Sequence, residues 1–331
     1  MAMKKVVSII LSLTMVISLC MYAYAKDDKQ ETNPYVEAYL KELDSNDVNE
    51  EILKETIQTL IEYYNSDNCL KETIKGKFEF DCDLITSVKK EDKISAMKVL
   101  KEEYNNLGSE VRSLIYNYFK RYVNYTGDEE LISFYNDENE RQRALNTVNS
   151  GFNPTQAATW AYNNGESIDY SFPYMIYLGG DCTNFVSQAL YHGGMTMRGN
   201  WYCYKKNSTY LVPSDSYELN YSWSLSDPSP WVSVGEFSSF WLNYCDDYYE
   251  YTTSDYISNH TTYFNNPIYL GDVVIFCTQT LWWMSPAHAM IISQYNLSTR
   301  DFNLAGHTYN RTDYPLLTAI TGYDSVRFYC L

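Results

Sequence analysis

Residues 179–190 read GGDCTNFVSQAL, and the reading of Cys182 within them decides how the rest of the chain is understood. Asp181 stands where a helix N-cap belongs. From Cys182 the apolar residues Phe185, Val186, Ala189 and Leu190 recur at i+3, i+4, i+7 and i+8, and Gly193-Gly194 ends the pattern. Cys182 therefore falls in the first turn of a helix, where backbone N–H groups lack intrahelical partners and the dipole favours an anion. A thiolate is an anion, so the position makes a cysteine more acidic and more reactive. The same N–H groups can stabilise the oxyanion formed when a thiolate attacks a carbonyl. A buried structural thiol and one half of a disulfide are the competing readings.

The compartment bears on that choice. The chain begins MAMKKVVSIILSLTMVISLCMYAYAKDD, with Lys4 and Lys5 before an apolar run from Val6 to Met21 and a small-x-small site at Ala23-Tyr24-Ala25. Residues 1–25 are expected to be a secretory signal peptide, the run being short for a membrane span. No second long apolar run follows, so no stable membrane span is expected after cleavage, and the mature chain should be secreted or associated with the cell surface. Without Cys20, seven cysteines remain: Cys69, Cys82, Cys182, Cys203, Cys245, Cys277 and Cys330. An odd number leaves at least one thiol unpaired. The stretch between Cys69 and Cys82 suits a short-loop disulfide.

A net charge of −17 argues against nucleic-acid binding and against attachment to anionic lipids or polymers. The composition changes near residue 150. All seven tryptophans lie between Trp160 and Trp283, whereas Lys and Glu concentrate in residues 27–145. In that first part Leu53, Ile57, Leu60, Ile61 and Tyr64 share one helical face. Ile94, Met97, Leu100, Tyr104 and Leu107 repeat the spacing, as do Val111, Leu114, Ile115, Tyr118 and Tyr122. The expected organisation is a helical domain over residues 26–135, a polar linker over 136–154 and a second domain over 155–331. Nothing in the helical part forms a catalytic constellation. Its task is spacing, docking or partner binding, with the partner unknown.

A thiol nucleophile needs a base, and the chain has four histidines. His192 lies about ten residues along the Cys182 helix, too far along the axis to reach the thiol. His260 sits in a polar, Asn/Thr-rich stretch. His288 opens HAMIIS, an apolar strand that follows the turn-then-strand pattern of Tyr269–Phe276; the two make a hairpin joined by an aromatic loop through Trp282 and Trp283. That puts His288 at the entry of the second strand. His307 follows Asp301–Ala305 and comes from the next strand. A Cys–His pair oriented by a third polar residue activates a thiol for acyl transfer.

Taken together, GGDCTNFVSQAL, GDVVIF (271–276), HAMIIS (288–293) and GHTYN (306–310) resemble the putative amidase domain family of secreted bacterial proteins, which is similar to NlpC-type and CHAP cell-wall hydrolases. The match spans about residues 150–331. The resemblance implies an α+β fold of papain-like type, with the nucleophile helix packed on an antiparallel sheet. It implies Cys182 as nucleophile, His288 as general base and His307 as the orienting residue, with Asn310 and Asp313 as substitutes in that third position. Asp181 matches the family pattern and either caps the helix or takes part in the chemistry. Tyr177 is a further supporting residue by analogy, although the glycines here abut Asp181-Cys182 directly. Neither cofactor nor metal is needed, because the thiolate supplies the nucleophile. The implied substrate is a peptide or glycopeptide amide of cell-wall peptidoglycan, cleaved through a thioester. An acyltransferase using the same pair and a catalytically silent module binding glycan or protein are the alternatives. The segment Arg198–Asn266, rich in Trp and Tyr, either lines a groove or covers the sheet.

Overall fold

The computed structural model describes residues 33–43, 50–145, 151–264 and 267–331. The expected signal peptide lies outside them. No described helix is long and apolar enough to cross a membrane.

The helical part contains α1 (Pro34–Glu42), α2 (Glu50–Ile74), α3 (Lys90–Glu103), α4 (Ser109–Thr126) and α5 (Glu129–Leu145). The three stripes read from the sequence face one another: Leu53, Ile57, Leu60, Met97, Leu100, Tyr104, Val111, Ile115, Tyr118 and Tyr122 share one buried cluster. At the centre of this part Asp67 accepts hydrogen bonds from the Tyr35 and Tyr122 hydroxyls, from Lys93 and from Arg121. A buried charge is tolerable only with such saturation. Helix α5 runs through residues 136–145 of the stretch expected as linker. Cys69 and Cys82 are free thiols, as are the other described cysteines, so the expected short-loop disulfide is not formed.

The second part begins with α6 (Pro154–Asn164) and α7 (Cys182–His192). It continues through β1 (Tyr204–Lys205), α8 (Ser216–Ser222), β2 (Trp223–Ser224), α9 (Val234–Trp241), β3 (Asp247–Thr252) and α10 (Thr253–Tyr263). It ends with β4 (Val273–Thr280), β5 (Trp283–Asn296), β6 (Asp301–Gly306), β7 (Arg311–Pro315), α11 (Leu316–Ala319) and β8 (Ser325–Cys330). Six strands form one sheet in the order β3-β8-β4-β5-β6-β7, every neighbour antiparallel. The fold is α+β. Successive side chains of a strand alternate between faces. Val273, Ile275 and Cys277 accordingly pack with Phe185, Val186, Ala189 and Leu190 of α7, while Val274 and Phe276 pack with Tyr256 and Leu316 on the opposite face. A strand buried on both faces needs apolar residues throughout, which is why GDVVIF reads as an unbroken run.

The β4–β5 hairpin exists, but its turn is tighter than the expected aromatic loop. Trp283 is already strand, paired with Thr280, and Leu281 takes a left-handed φ of 55°. The hairpin tip enters the helical part: Trp283 belongs to the helical cluster, and the Trp282 indole donates to the Val88 carbonyl at 3.2 Å. In the Arg198–Asn266 segment Trp201, Trp223, Trp231 and Trp241 are buried. Those aromatics cover the sheet and α7; they do not line a groove.

Candidate active site

Helix α7 brings Cys182 to the sheet at its first residue. Asp181 occupies the N-cap position, yet its carboxylate does not cap the helix. Oδ1 accepts from the Met175 backbone N–H and the Asn184 amide, both at 2.8 Å, and Oδ2 accepts from His307 Nδ1 at 2.6 Å. The sequence expectation of a capping Asp181 thus holds for its position and fails for its side chain. The first-turn backbone N–H groups therefore receive no side-chain cap from Asp181. That turn holds Cys182.

His288 lies past a β-bulge, not at a strand entry. Phe276 pairs with His288 and Cys277 with Pro286, so Ala287 is the additional residue. Bulges bend a strand and redirect the side chains that follow. The His288 ring stacks with Phe276 and Tyr323 at centroid distances of 6.2 and 6.5 Å. Its Nδ1 donates to Glu55 Oε1 at 2.8 Å, and the remaining nitrogen, Nε2, is the one left for the thiol.

Glu55 comes from α2, in the part of the chain where the sequence showed no catalytic constellation. One donor atom from each of Glu55, Cys182 and His288 lies within 4.8 Å of the others, and all three residues are buried. These are also zinc-binding residue types. An ion bound tetrahedrally would hold a nitrogen and an oxygen ligand about 3.3 Å apart, so the 2.8 Å separation of Glu55 and His288 is that of a direct hydrogen bond.

The electrostatics follow from burial and from this grouping. Burial opposes the imidazolium, but the Glu55 carboxylate and the Cys182 thiolate outweigh it and hold the His288 pKa well above its ordinary 6.5. Burial, then Glu55, push the Cys182 thiol up, while His288 and the Ala289 backbone N–H pull it down; the upward influences prevail. The two groups exchange one proton as a unit, and Glu55 raises the pH at which that unit first loses it.

The expected orienting residue is elsewhere. His307 is engaged by Asp181 at Nδ1 and by the Asn164 carbonyl at Nε2, 3.4 Å away, with Phe185 packed on its ring at 4.2 Å. Both nitrogens are occupied, so His307 does not orient His288. It pins the Asp181 carboxylate beside the thiol helix. Asn310 lies beside the Tyr174 hydroxyl and Asp313 is exposed on β7, so neither substitutes for it. Tyr177 is 69% exposed. His192 pairs with Asp169 and stacks on Trp160 at 4.5 Å, and His260 is half-buried on α10 with its ring against the Ile257 carbonyl.

A cavity of about 150 Å³ opens against the His288 and His307 rings, walled by Tyr309, Arg311, Tyr314 and Tyr323. Cys182 does not line it, and the residue is only 6% exposed.

A family model described as "Putative amidase domain" matches residues 151–331, more than half of the chain and the whole of the part that carries Cys182 and His288. Neither a curated protein nor a solved structure matches it.

Proposed function

Because the chain belongs to the Putative amidase domain family, a grouping that points to amide hydrolysis, we propose that it is a cysteine-dependent amide hydrolase. One observation carries this reading: a thiol and an imidazole within 4.8 Å, at the start of a helix whose N-cap carboxylate is held away. In the attack step the Cys182 sulfur forms a bond to the amide carbonyl carbon and its proton passes to His288 Nε2. The carbonyl electron pair moves onto oxygen, facing the N–H groups of the first turn of α7. Collapse breaks the C–N bond, and the imidazolium returns its proton to the departing amine. Water, deprotonated by His288, then attacks the thioester, releasing a carboxylic acid and restoring the thiol.

The substrate is a peptide amide of bacterial cell-wall peptidoglycan, and the protein acts outside the cytoplasm. The signal-like residues 1–25 and the similarity of the motifs to those of NlpC-type cell-wall hydrolases support this assignment. The packing of the Cys182 helix on an antiparallel sheet that carries His288 is consistent with it. The test is to incubate the mature chain with soluble muropeptides and follow new amino and carboxyl termini by mass spectrometry. Cleavage by the native chain and none by Cys182→Ser is expected. A fully active Cys182→Ser variant overturns the nucleophile assignment, and intact muropeptides with the native chain overturn the substrate.

A further inference from the structure

We propose that Glu55 is the positioning residue for His288, so that the catalytic centre is completed by the helical part of the chain and residues 151–331 hold only two of its three members. This rests on the Cys182–His288 reading and adds to it a residue outside the amidase match.

The geometry carries the assignment. A carboxylate that accepts from Nδ1–H fixes the tautomer of the ring, turns Nε2 toward the thiol and stabilises the imidazolium after proton transfer. Glu55 Oε1 does this at 2.8 Å. No proton passes to Glu55: the proton leaves sulfur for Nε2 and returns from Nε2. His307, the residue suited to that role by chain order, is saturated by Asp181 and Asn164. Glu55 Oε2 is buried with no hydrogen-bond partner among the described residues. An orphaned buried oxygen costs stability, and a role of the other oxygen toward His288 is an account of why the residue is kept.

The amidase part is shaped to receive this helix. Gly179 and Gly180 have φ of 101° and 132°, and a Cβ on Gly179 would fall 2.7 Å from the Gln58 side chain. A Cβ on Gly180 would lie 3.5 Å from Glu55 Oε1. Gly179 therefore gives α2 its close approach, and both glycines take backbone angles that other residues rarely adopt. The polar face of α2 is tied down along its length. Thr56 and Thr278 hydroxyls meet at 3.1 Å, Thr59 donates to the Pro286 carbonyl at 3.2 Å, and Glu62 accepts from Ser233. Across the same two parts Arg121 bridges Asp67 and Glu236. Buried, hydrogen-bonded charge of this kind belongs to a permanent interface and not to a lid that swings clear.

The test uses the full mature chain with Glu55→Gln, Glu55→Asp and, as a packing control, Thr59→Val. Two quantities are read: muropeptide turnover, and the pH dependence of iodoacetamide labelling at Cys182, mapped by peptide. Glu55→Gln keeps the shape and removes the charge. It is expected to lower turnover by about 10²–10⁴-fold and to move the labelling midpoint down by about one pH unit. Glu55→Asp should recover part of the turnover and keep the native midpoint. Thr59→Val should keep the midpoint. An unchanged midpoint and turnover in Glu55→Gln overturns the proposal, as does an equal shift in Thr59→Val. Faster turnover in Glu55→Gln also overturns it and makes α2 an inhibitory cover. Should His288→Ala leave both readouts unaffected, the Cys–His reading itself fails, a result separable from any behaviour of Glu55.

Discussion

Glu55 and His288 stand 233 positions apart in the chain and meet at 2.8 Å. The Glu55 carboxylate raises the proton affinity of the imidazole and, after burial, opposes ionisation of the neighbouring thiol. It also makes the helical part a component of the site.

Alkylation of the native chain should be slow in mildly acidic solution and rise above neutral pH. Burial and the negative charge of Glu55 both oppose the Cys182 thiolate, and a residue 6% exposed admits reagent slowly. His288 is the countervailing influence, so His288→Ala should move the profile to higher pH. The readout is the rate of iodoacetamide labelling at Cys182 between pH 5 and about 10. Rapid labelling at pH 5 in the native chain contradicts this.

The Asp181–His307 pair should be structural. Asp181→Ala leaves a buried histidine, the Met175 N–H and the Asn184 amide without their acceptor. A loss of about 3 kcal/mol is expected from removing one partner of such a pair, measured by urea unfolding. Native-like stability in Asp181→Ala would show that the carboxylate does not hold the loop before α7.

Arg121 joins the two parts of the molecule. It lies 2.8 Å from Asp67 and 3.3 Å from Glu236, and removing it leaves buried Glu236 without its ion-pair partner and takes one of four donors from Asp67. Arg121→Ala should cost about 3–5 kcal/mol. Both the tryptophan signal, dominated by the amidase part, and the helical circular dichroism should shift together in one transition. A shift in only one signal would mean that the parts unfold independently.

Glu62 should make stability fall as the pH rises through the mildly acidic range. Burial, only partly offset by Ser233 and Gln58, raises its pKa from 4.5 to about 7. A carboxyl whose folded value lies above its unfolded value contributes stability that is full below the unfolded value and lost as pH rises through the folded one. The window is therefore about 4.5 to 7. Glu62→Gln should remove that component, so comparing the melting temperatures of the two chains at pH 5 and pH 7.5 checks it. Parallel behaviour of the two chains across the window rules the assignment out.

Metal removal separates the thiol reading from a zinc reading of the same three residues. Turnover should survive dialysis against EDTA. Loss on dialysis with recovery on adding zinc would reassign Glu55, Cys182 and His288 as ligands, the donor set being suitable.

The helix from Cys182, its apolar face and its glycine stop were legible because an α-helix repeats locally, and four consecutive spacings define it. The same holds for the three stripes of the helical part and for the strand 273–276. Cys182 and His288 could be singled out because a thiol at a helix start and a histidine beside an apolar strand are local patterns too. The bulge at Ala287 was not legible. One additional residue in a strand leaves no periodic signature, and it shows only when the partner strand is paired. The helix in residues 136–145 was not legible, because its sequence is polar and carries no regular apolar spacing.

The roles of His307, Asp181 and Glu55 were decided by tertiary structure alone. Along the chain His307 is the next histidine after His288, and nothing local reveals that Asp181 claims its ring. Glu55 looks like one surface glutamate of an amphipathic helix, because the apolar stripe of Leu53, Ile57 and Leu60 announces only one buried face. A second face made of buried Glu55, Thr56 and Thr59 and half-buried Glu62 is polar, so hydrophobic periodicity does not register it. The sequence by itself determined the local elements, the family and the Cys182–His288 pair, since each is written in short-range spacing. Only the packing of α2 on the β4–β5 hairpin decided which carboxylate meets the imidazole, because that contact depends on where two distant segments come to rest.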